Sequence, residues 1–155
     1  MDGGCSCEDL RYRLTDKPLF VHCCHCTWCQ RETGSAFVLN AMIETACVEL
    51  LHGETEAVET PSHSGRGQII HRCPRCKVAL WSHYSGAGEL IAFVRVGTLD
   101  NAAALPPDIH IFTETKLPWV VIPEGVPVMK EFYARSEHWP DWALARRDKA
   151  LAHRM

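Results

Sequence analysis

The sequence predicts a mainly β protein closed by a short C-terminal helix. Three observations carry that reading. Short runs rich in β-branched and aromatic residues recur as far as Ile122. Clusters of Gly, Pro, Ser and Asp separate them at frequent intervals. Only the final stretch, "EHWPDWALARRDKALAHRM", lacks this punctuation and carries helix-start and helix-end chemistry instead.

Taken in order, the expected strands are Leu10–Leu14, Leu19–His22, Phe37–Ile43, Val48–Leu51, Gln68–Arg72, Leu80–His83, Leu90–Val96, Ile109–Thr113 and Trp119–Ile122. Turns are expected at Asp16–Pro18, His52–Glu54, His63–Gly67, Ser85–Gly88 and Leu105–Asp108. In the tail, Pro140 reads as a first-turn residue with Asp141 near the helix start. Arg146, Arg147, Lys149 and Arg154 lie towards the helix end, so both ends complement the helix dipole. Trp139, Trp142, Ala143, Ala145, Ala150 and Leu151 make no clean apolar stripe. The expectation is therefore a short helix docked on its own domain through its tryptophans, with a homodimer contact as the alternative. On this reading residues 1–124 form the main domain and residues 125–155 an extension packed on it.

A chain of 155 residues is long enough to bury a real core within one domain. Its 46% hydrophobic and 23% charged residues place it among ordinary globular proteins. A net charge of −3 argues against non-specific nucleic-acid binding and against a basic membrane patch. The longest apolar runs, such as Trp119–Pro123, are far too short to span a bilayer. "MDGGCSCEDL" lacks the basic and apolar regions of a secretion signal, so a cytoplasmic location is expected.

Nine cysteines dominate what remains. In a reducing compartment they are thiols or metal thiolates rather than disulfides. They cluster as Cys5-x-Cys7, as Cys23-Cys24-x-Cys26-x-x-Cys29 and as Cys73-x-x-Cys76, with Cys47 alone. Such gaps put two sulfurs within reach of one ion, which is zinc-ligand spacing. Cys5, Cys7, Cys24, Cys26, Cys29, Cys73 and Cys76 divide naturally into four plus three, a structural and an open site. Spacing alone leaves the pairing undecided. A ribbon-like site could join Cys26-x-x-Cys29 to Cys73-x-x-Cys76, although their separation is long, and Cys23, Cys47 or a histidine could add a ligand. Cys47 reads as a small core residue, and Cys23 should point away from Cys24 on a strand. His22, His25, His71, His83 and His110 read as ligands or as polar core and surface residues.

Several of these motifs, in this order, resemble one known family. They are Cys5-x-Cys7, "CHCTWC" (Cys24–Cys29), "RETGSAF" (Arg31–Phe37), Cys73-x-x-Cys76, "VGTLD" (Val96–Asp100), "HIF" (His110–Phe112) and "PW" (Pro118–Trp119). The sequence resembles the glutathione-dependent formaldehyde-activating enzymes, the CENP-V/GFA family, over about residues 3 to 120. The resemblance implies an Mss-four-like fold of several coiled antiparallel β-sheets pinned by two zinc ions. It assigns Cys5, Cys7, Cys73 and Cys76 to a structural zinc, and Cys24, Cys26 and Cys29 to a catalytic one. It implies a carbon–sulfur lyase that joins glutathione, or a related thiol, to formaldehyde or another aldehyde. His25 is then a catalytic candidate, relaying a proton or bonding a sulfur. Arg31 and Thr33 become candidates for binding a substrate carboxylate or carbonyl. His110 and Trp119 are candidates for the pocket wall, with a core role as the alternative for Trp119. Two positions depart from the family habit: Glu8 and Lys77 stand where glycine is frequent. A different class of function stays open beside the enzyme, namely a non-catalytic zinc-binding module that engages another protein.

Overall fold

The structure is a computed structural model and describes residues 1–152. The strands are β1 (Asp2–Gly4), β2 (Arg11–Leu14), β3 (Phe20–Cys24), β4 (Val38–Glu44), β5 (Val48–His52), β6 (Glu56–Thr60), β7 (Gln68–Arg72), β8 (Ala79–Tyr84), β9 (Ile91–Arg95) and β10 (Ile109–Ile111). The helices are α1 (Thr27–Thr33), α2 (Arg135–His138) and α3 (Asp141–Ala152). The protein is thus mainly β. Strands β1, β2 and β5 form a three-stranded sheet in the order β1-β2-β5. The other seven form a sheet in the order β10-β3-β4-β9-β8-β7-β6. One pairing in it is parallel: β10 runs alongside β3, with Ile109 opposite His22 and Ile111 opposite Cys24. The long connection through residues 96–108 brings the chain back to start β10 in that direction.

Four elements escape the sequence patterns: β1, β6, α1 and the single-turn α2. β1 is "DGG", with no strand propensity of its own. It exists because it pairs with β2 and because Arg13 holds Asp2 at 2.7 and 2.8 Å. Gly3 is needed there, since a Cβ would stand 2.6 Å from the Thr98 carbonyl and 2.7 Å from the Tyr12 ring. β6, "EAVET", is an edge strand whose glutamates discourage further pairing. α1 interrupts what reads as a ligand loop. In the opposite sense, the strand expected at Trp119–Ile122 is absent. Those residues form a turn and an irregular stretch, and Trp119 is 70% exposed. The backbone there is engaged locally instead: Val120 N–H donates to the Leu117 carbonyl at 3.1 Å, and the Val120 carbonyl accepts from Lys116 Nζ at 2.6 Å.

Two cores form. Leu10, Tyr12, Leu14, Ile43, Leu80 and Val94 make the first, and Cys5 and Cys73 are buried in it. Leu19, Phe20, Met42, Ile109, Trp139 and Ala143 make the second, which contains Cys24 and Cys26. Each cysteine cluster is therefore embedded in its own core.

The tail closes the second core. Met129 N–H donates to the His110 carbonyl at 2.9 Å, and His110 N–H to that of Pro127 at 2.9 Å. Trp139 stacks on Phe20, centroids 5.4 Å apart. Burying an indole removes roughly 200 Å² from water, worth about 5 kcal/mol before entropy is charged. Its Nε1–H donates to Tyr133 Oη at 2.7 Å, leaving the Tyr133 hydroxyl to donate to His22 Nε2. Pro140 sits just before α3 rather than in its first turn, and its carbonyl accepts from Ala143 and Leu144. Trp142 stays 38% exposed beneath the Lys17 ammonium, 3.6 Å from its ring centre. Arg154, read from the sequence as a helix-end charge, lies outside the described residues. Among the described residues, no helix is long and apolar enough to cross a membrane.

Candidate metal centres and an adjoining cavity

Four sulfurs converge where β1 meets the β7–β8 hairpin. Cys5, Cys7, Cys73 and Cys76 place their sulfurs all within 4.8 Å of one another. Cys5 Sγ lies 3.5 Å from Cys7 Sγ, which lies 3.7 Å from Cys73 Sγ. Four thiolates around zinc at about 2.3 Å would stand about 3.8 Å apart, so the donor set fits that ion. The residue after each pair turns left-handed: Glu8 has φ 64° and Lys77 has φ 62°. These are the two positions where the resembling family favours glycine. The turn aims backbone N–H groups at sulfur: the Val78 N–H leads in drawing the Cys76 thiol down to about 6, against burial.

Three other sulfurs converge at the end of β3. Cys24 is its last residue, Cys26 caps α1, and Cys29 follows in the first turn. Cys29 N–H donates to Cys26 Sγ at 3.3 Å, and the three sulfurs lie within 4.8 Å of one another. The facing Cys24 and Cys29 sulfurs draw the Cys26 thiol down to about 2, and the same contact pushes Cys24 up. This cluster could also hold a zinc ion. The two clusters are separate, so the ribbon-like pairing of Cys26 and Cys29 with Cys73 and Cys76 does not occur.

Cys23 points away from Cys24, as the pleat requires, and meets His25 and His110. Its sulfur is 3.5 Å from His25 Nε2, which shares a hydrogen bond of 2.9 Å with His110 Nδ1. Burial lowers both imidazoles, His25 to about 4, so both are neutral at pH 7. Cys47 is half-buried against the first core, away from all three groups.

A cavity of about 490 Å³ opens beside the three-sulfur cluster. Cys24, Cys26 and Cys29 line it, together with His22, Asn40 and Tyr84. Trp28, Phe93, Phe112 and Phe132 supply aromatic wall, and Arg66, Arg135 and Arg147 the charge. Beneath it the buried Arg95 donates to Asn40 Oδ1 and, at 3.0 Å, to Ser82 Oγ, within electrostatic reach of Cys29.

The other sequence candidates are not brought to this cavity. Arg31 and Thr33 lie exposed on α1, where the Thr33 hydroxyl donates to the Cys29 carbonyl at 2.8 Å. His25 and His110 are buried and bonded to each other, and neither lines the cavity. Trp119 is neither pocket wall nor core. His22, one of the histidines the sequence marks as ligand or polar core, lines it, whereas nothing in the sequence points to Asn40, Arg135 or Arg147 as part of the site. Only the helix α1 had a local signal, in "QRET" followed by Gly34, which ends it with φ 63°.

Comparison with known proteins bears on the fold and the lineage. A crystal structure of a Rhodobacter sphaeroides protein superimposes with a TM-score of 0.51 at 14% identity, covering 83% of this chain and 99% of that one. At that identity the likeness speaks for the fold alone. No curated protein matches the sequence. Residues 1–115 match the family described as glutathione-dependent formaldehyde-activating enzyme. That span holds every cysteine of both sulfur clusters and all ten strands, and the chain belongs to the glutathione-dependent formaldehyde-activating enzyme family.

Proposed function

We propose that the protein is a zinc-dependent carbon–sulfur lyase that forms or cleaves S-hydroxymethylglutathione or a related thiol adduct. One observation carries the reading: three converging sulfurs, not four, stand in the wall of a cavity of about 490 Å³. A structural zinc takes four protein ligands, whereas a catalytic one keeps a position open. Cys5, Cys7, Cys73 and Cys76 would hold the structural ion, and Cys24, Cys26 and Cys29 the catalytic one. Zinc bound by the three would stabilise a substrate thiolate near neutral pH. Three anionic ligands suit a thiol better than a water nucleophile, because they leave the site a modest Lewis acid. The substrate sulfur attacks the carbonyl carbon, a carbon–sulfur bond forms, and the carbonyl electron pair moves to oxygen. That oxygen takes up the proton the thiol gave up, and cleavage reverses each step. His22, held down to about 3 by burial and by Arg135, stays neutral and bounds the cavity. His25 positions the ligand loop: its carbonyl accepts from Gln30 at 2.8 Å and from the Thr115 hydroxyl at 3.0 Å. Residues 1–124 would form the zinc-binding domain and residues 125–155 the extension that completes its cavity. Nine unpaired thiols suit a cytoplasmic setting.

The second reading, a non-catalytic protein-interaction module, has its own observation in the exposed Trp119 and Val121. Metal analysis with an exchange assay separates the two. Wild type should carry about two zincs and a Cys26→Ser variant about one. Only wild type should speed the exchange of ¹³C-formaldehyde into the glutathione adduct, followed by NMR. One zinc in both proteins, with no acceleration, would overturn the enzyme reading.

A further inference from the structure

Most arginines in this protein that stand near a carboxylate are paired with one. Arg11 holds Asp100, Arg13 holds Asp2, Arg72 holds Glu32, and Arg146 holds Glu44. The cavity beside Cys24, Cys26 and Cys29 departs from this pattern. Among the described residues three arginines line it and no aspartate or glutamate does. Arg135, from α2, is half-buried there, and its Nε is fully buried without a hydrogen-bond partner. Its guanidinium lies 5.4 Å from the Phe132 ring centre and 5.9 Å from that of Trp139, and no carboxylate among the described residues bridges to it. Arg147, from α3, reaches the same cavity. Its ion pair is with Asp148, 3.4 Å away and 73% exposed, which water screens. Burial and the neighbouring Arg147 charge both press against the Arg135 proton. Two like charges are thus held together in a partly buried wall where, among the described residues, the exposed Asp148 is the one acid paired with either. That arrangement costs energy in the free protein, and an entering anion would relieve it.

We propose that Arg135 and Arg147 form an anion subsite that binds a carboxylate of the thiol substrate while its sulfur faces Cys24, Cys26 and Cys29. Both arginines lie beyond residue 115, where the family match ends. The subsite is therefore a device of this chain's C-terminal segment. Guanidinium forks pair carboxylates in two parallel hydrogen bonds, which fixes orientation as well as affinity. The aromatic walls formed by Phe112 and Phe132 flank that contact on the cavity side. The substrate class that follows is a thiol, or its aldehyde adduct, bearing a carboxylate at the end remote from sulfur. Neutral thiols would reach the sulfur end and lose the anchor. The sulfur end of this assignment rests on the proposed function, but the anion end does not.

The test separates the two ends. The zinc-loaded protein is titrated calorimetrically at low salt with γ-glutamyl-alanyl-glycine, which is glutathione without its sulfur, and with its dimethyl ester. The free acid should bind, and the ester should bind at least about tenfold more weakly, as should the acid to Arg135→Gln or Arg147→Gln. Arg147→Lys, which keeps the charge without the fork, should retain part of the affinity. Thermal melting checks that each variant is folded, and Arg147, on a partly exposed helix face, is the safer of the two. Glutathione itself is titrated into wild type and Cys26→Ser. If glutathione binding needs Cys26 yet is indifferent to both arginines and to esterification, the subsite is wrong and the thiol reading stands. If the sulfur-free peptide needs the arginines while Cys26→Ser changes nothing for glutathione, the thiol reading falls and the subsite stands. No binding of the sulfur-free acid to wild type overturns the subsite.

Discussion

On β3 the pleat sends Cys23 and Cys24 to opposite faces, and that alternation alone makes one a histidine neighbour and the other a candidate ligand. Glu8 and Lys77 carry the backbone cost of the knuckle turns, about 1 kcal/mol each for a non-glycine residue in the left-handed region. A second histidine pair lies outside the cavity lining. Thr55 Oγ1 bonds His71 Nδ1 at 3.0 Å, His71 Nε2 bonds His83 Nδ1 at 3.2 Å, and His83 Nε2 bonds Thr45 Oγ1 at 3.1 Å. Burial, then the facing His71, hold His83 below the ordinary histidine value, and only Glu89 opposes them. A lowered folded pKa means the unfolded chain takes the proton first. The stability His83 contributes is therefore present above about pH 6.5 and lost as pH falls through the lowered folded value. Urea midpoints between pH 7.5 and 5 should fall with a slope of up to about 1.4 kcal/mol per pH unit for each such proton. His83→Gln should flatten that slope, and an unchanged slope would show that His83 does not titrate in this way.

At the scale of elements, α1 has seven residues, too few to persist alone in water. The Cys26 sulfur caps its start, Gly34 ends it, and Glu32 bridges to Arg72 on β7. Three ligand positions are therefore as rigid as the strand and hairpin that flank them. α3 is held differently, by Trp139 stacking at its entry and by Arg146 along its length. Arg146 forks onto Glu44 of β4 at 2.8 and 2.6 Å and donates to the Lys17 carbonyl at 3.0 Å. Both side chains are mostly buried, so Arg146→Ala leaves Glu44 without its fork and should cost about 1–3 kcal/mol. The urea midpoint should drop with its slope unchanged. No change would mean that aromatic packing alone seats the helix.

For the whole molecule, the four-sulfur cluster matters because it links segments far apart in sequence. Cys5 and Cys7 flank the small sheet, while Cys73 and Cys76 belong to a hairpin of the large one. Metal held there would tie both sheets across the first core, so its loss should destabilise globally. Cys73→Ser should lower the melting temperature by about 10 °C or more, whereas Cys26→Ser, at the edge of a cavity, should lower it by only a few degrees. Equal shifts in the two variants would remove the distinction between a structural and an open site.

Much of this was legible along the chain. Runs of β-branched and aromatic residues between turn signals placed β2, β3, β4, β5, β7, β8, β9 and β10, because both signals are local. Cysteine spacing marked every member of both sulfur clusters, because CxC and CxxC turns are short enough to be read in one glance. The sequence by itself determined a mainly β protein with sulfur clusters able to hold zinc. Spacing left open which pair meets which; the family resemblance implied the answer, and the tertiary structure enacts it by joining Cys5 and Cys7 to Cys73 and Cys76 across two sheets. The strandless fate of Trp119–Ile122 was decided there, by Val120 bonding Leu117 and Lys116 within its own turn. So was the charge beside the three sulfurs. Arg135 and Arg147 share no local pattern with Cys24, Cys26 and Cys29, and only the folding back of the tail on β10 brings them to one wall.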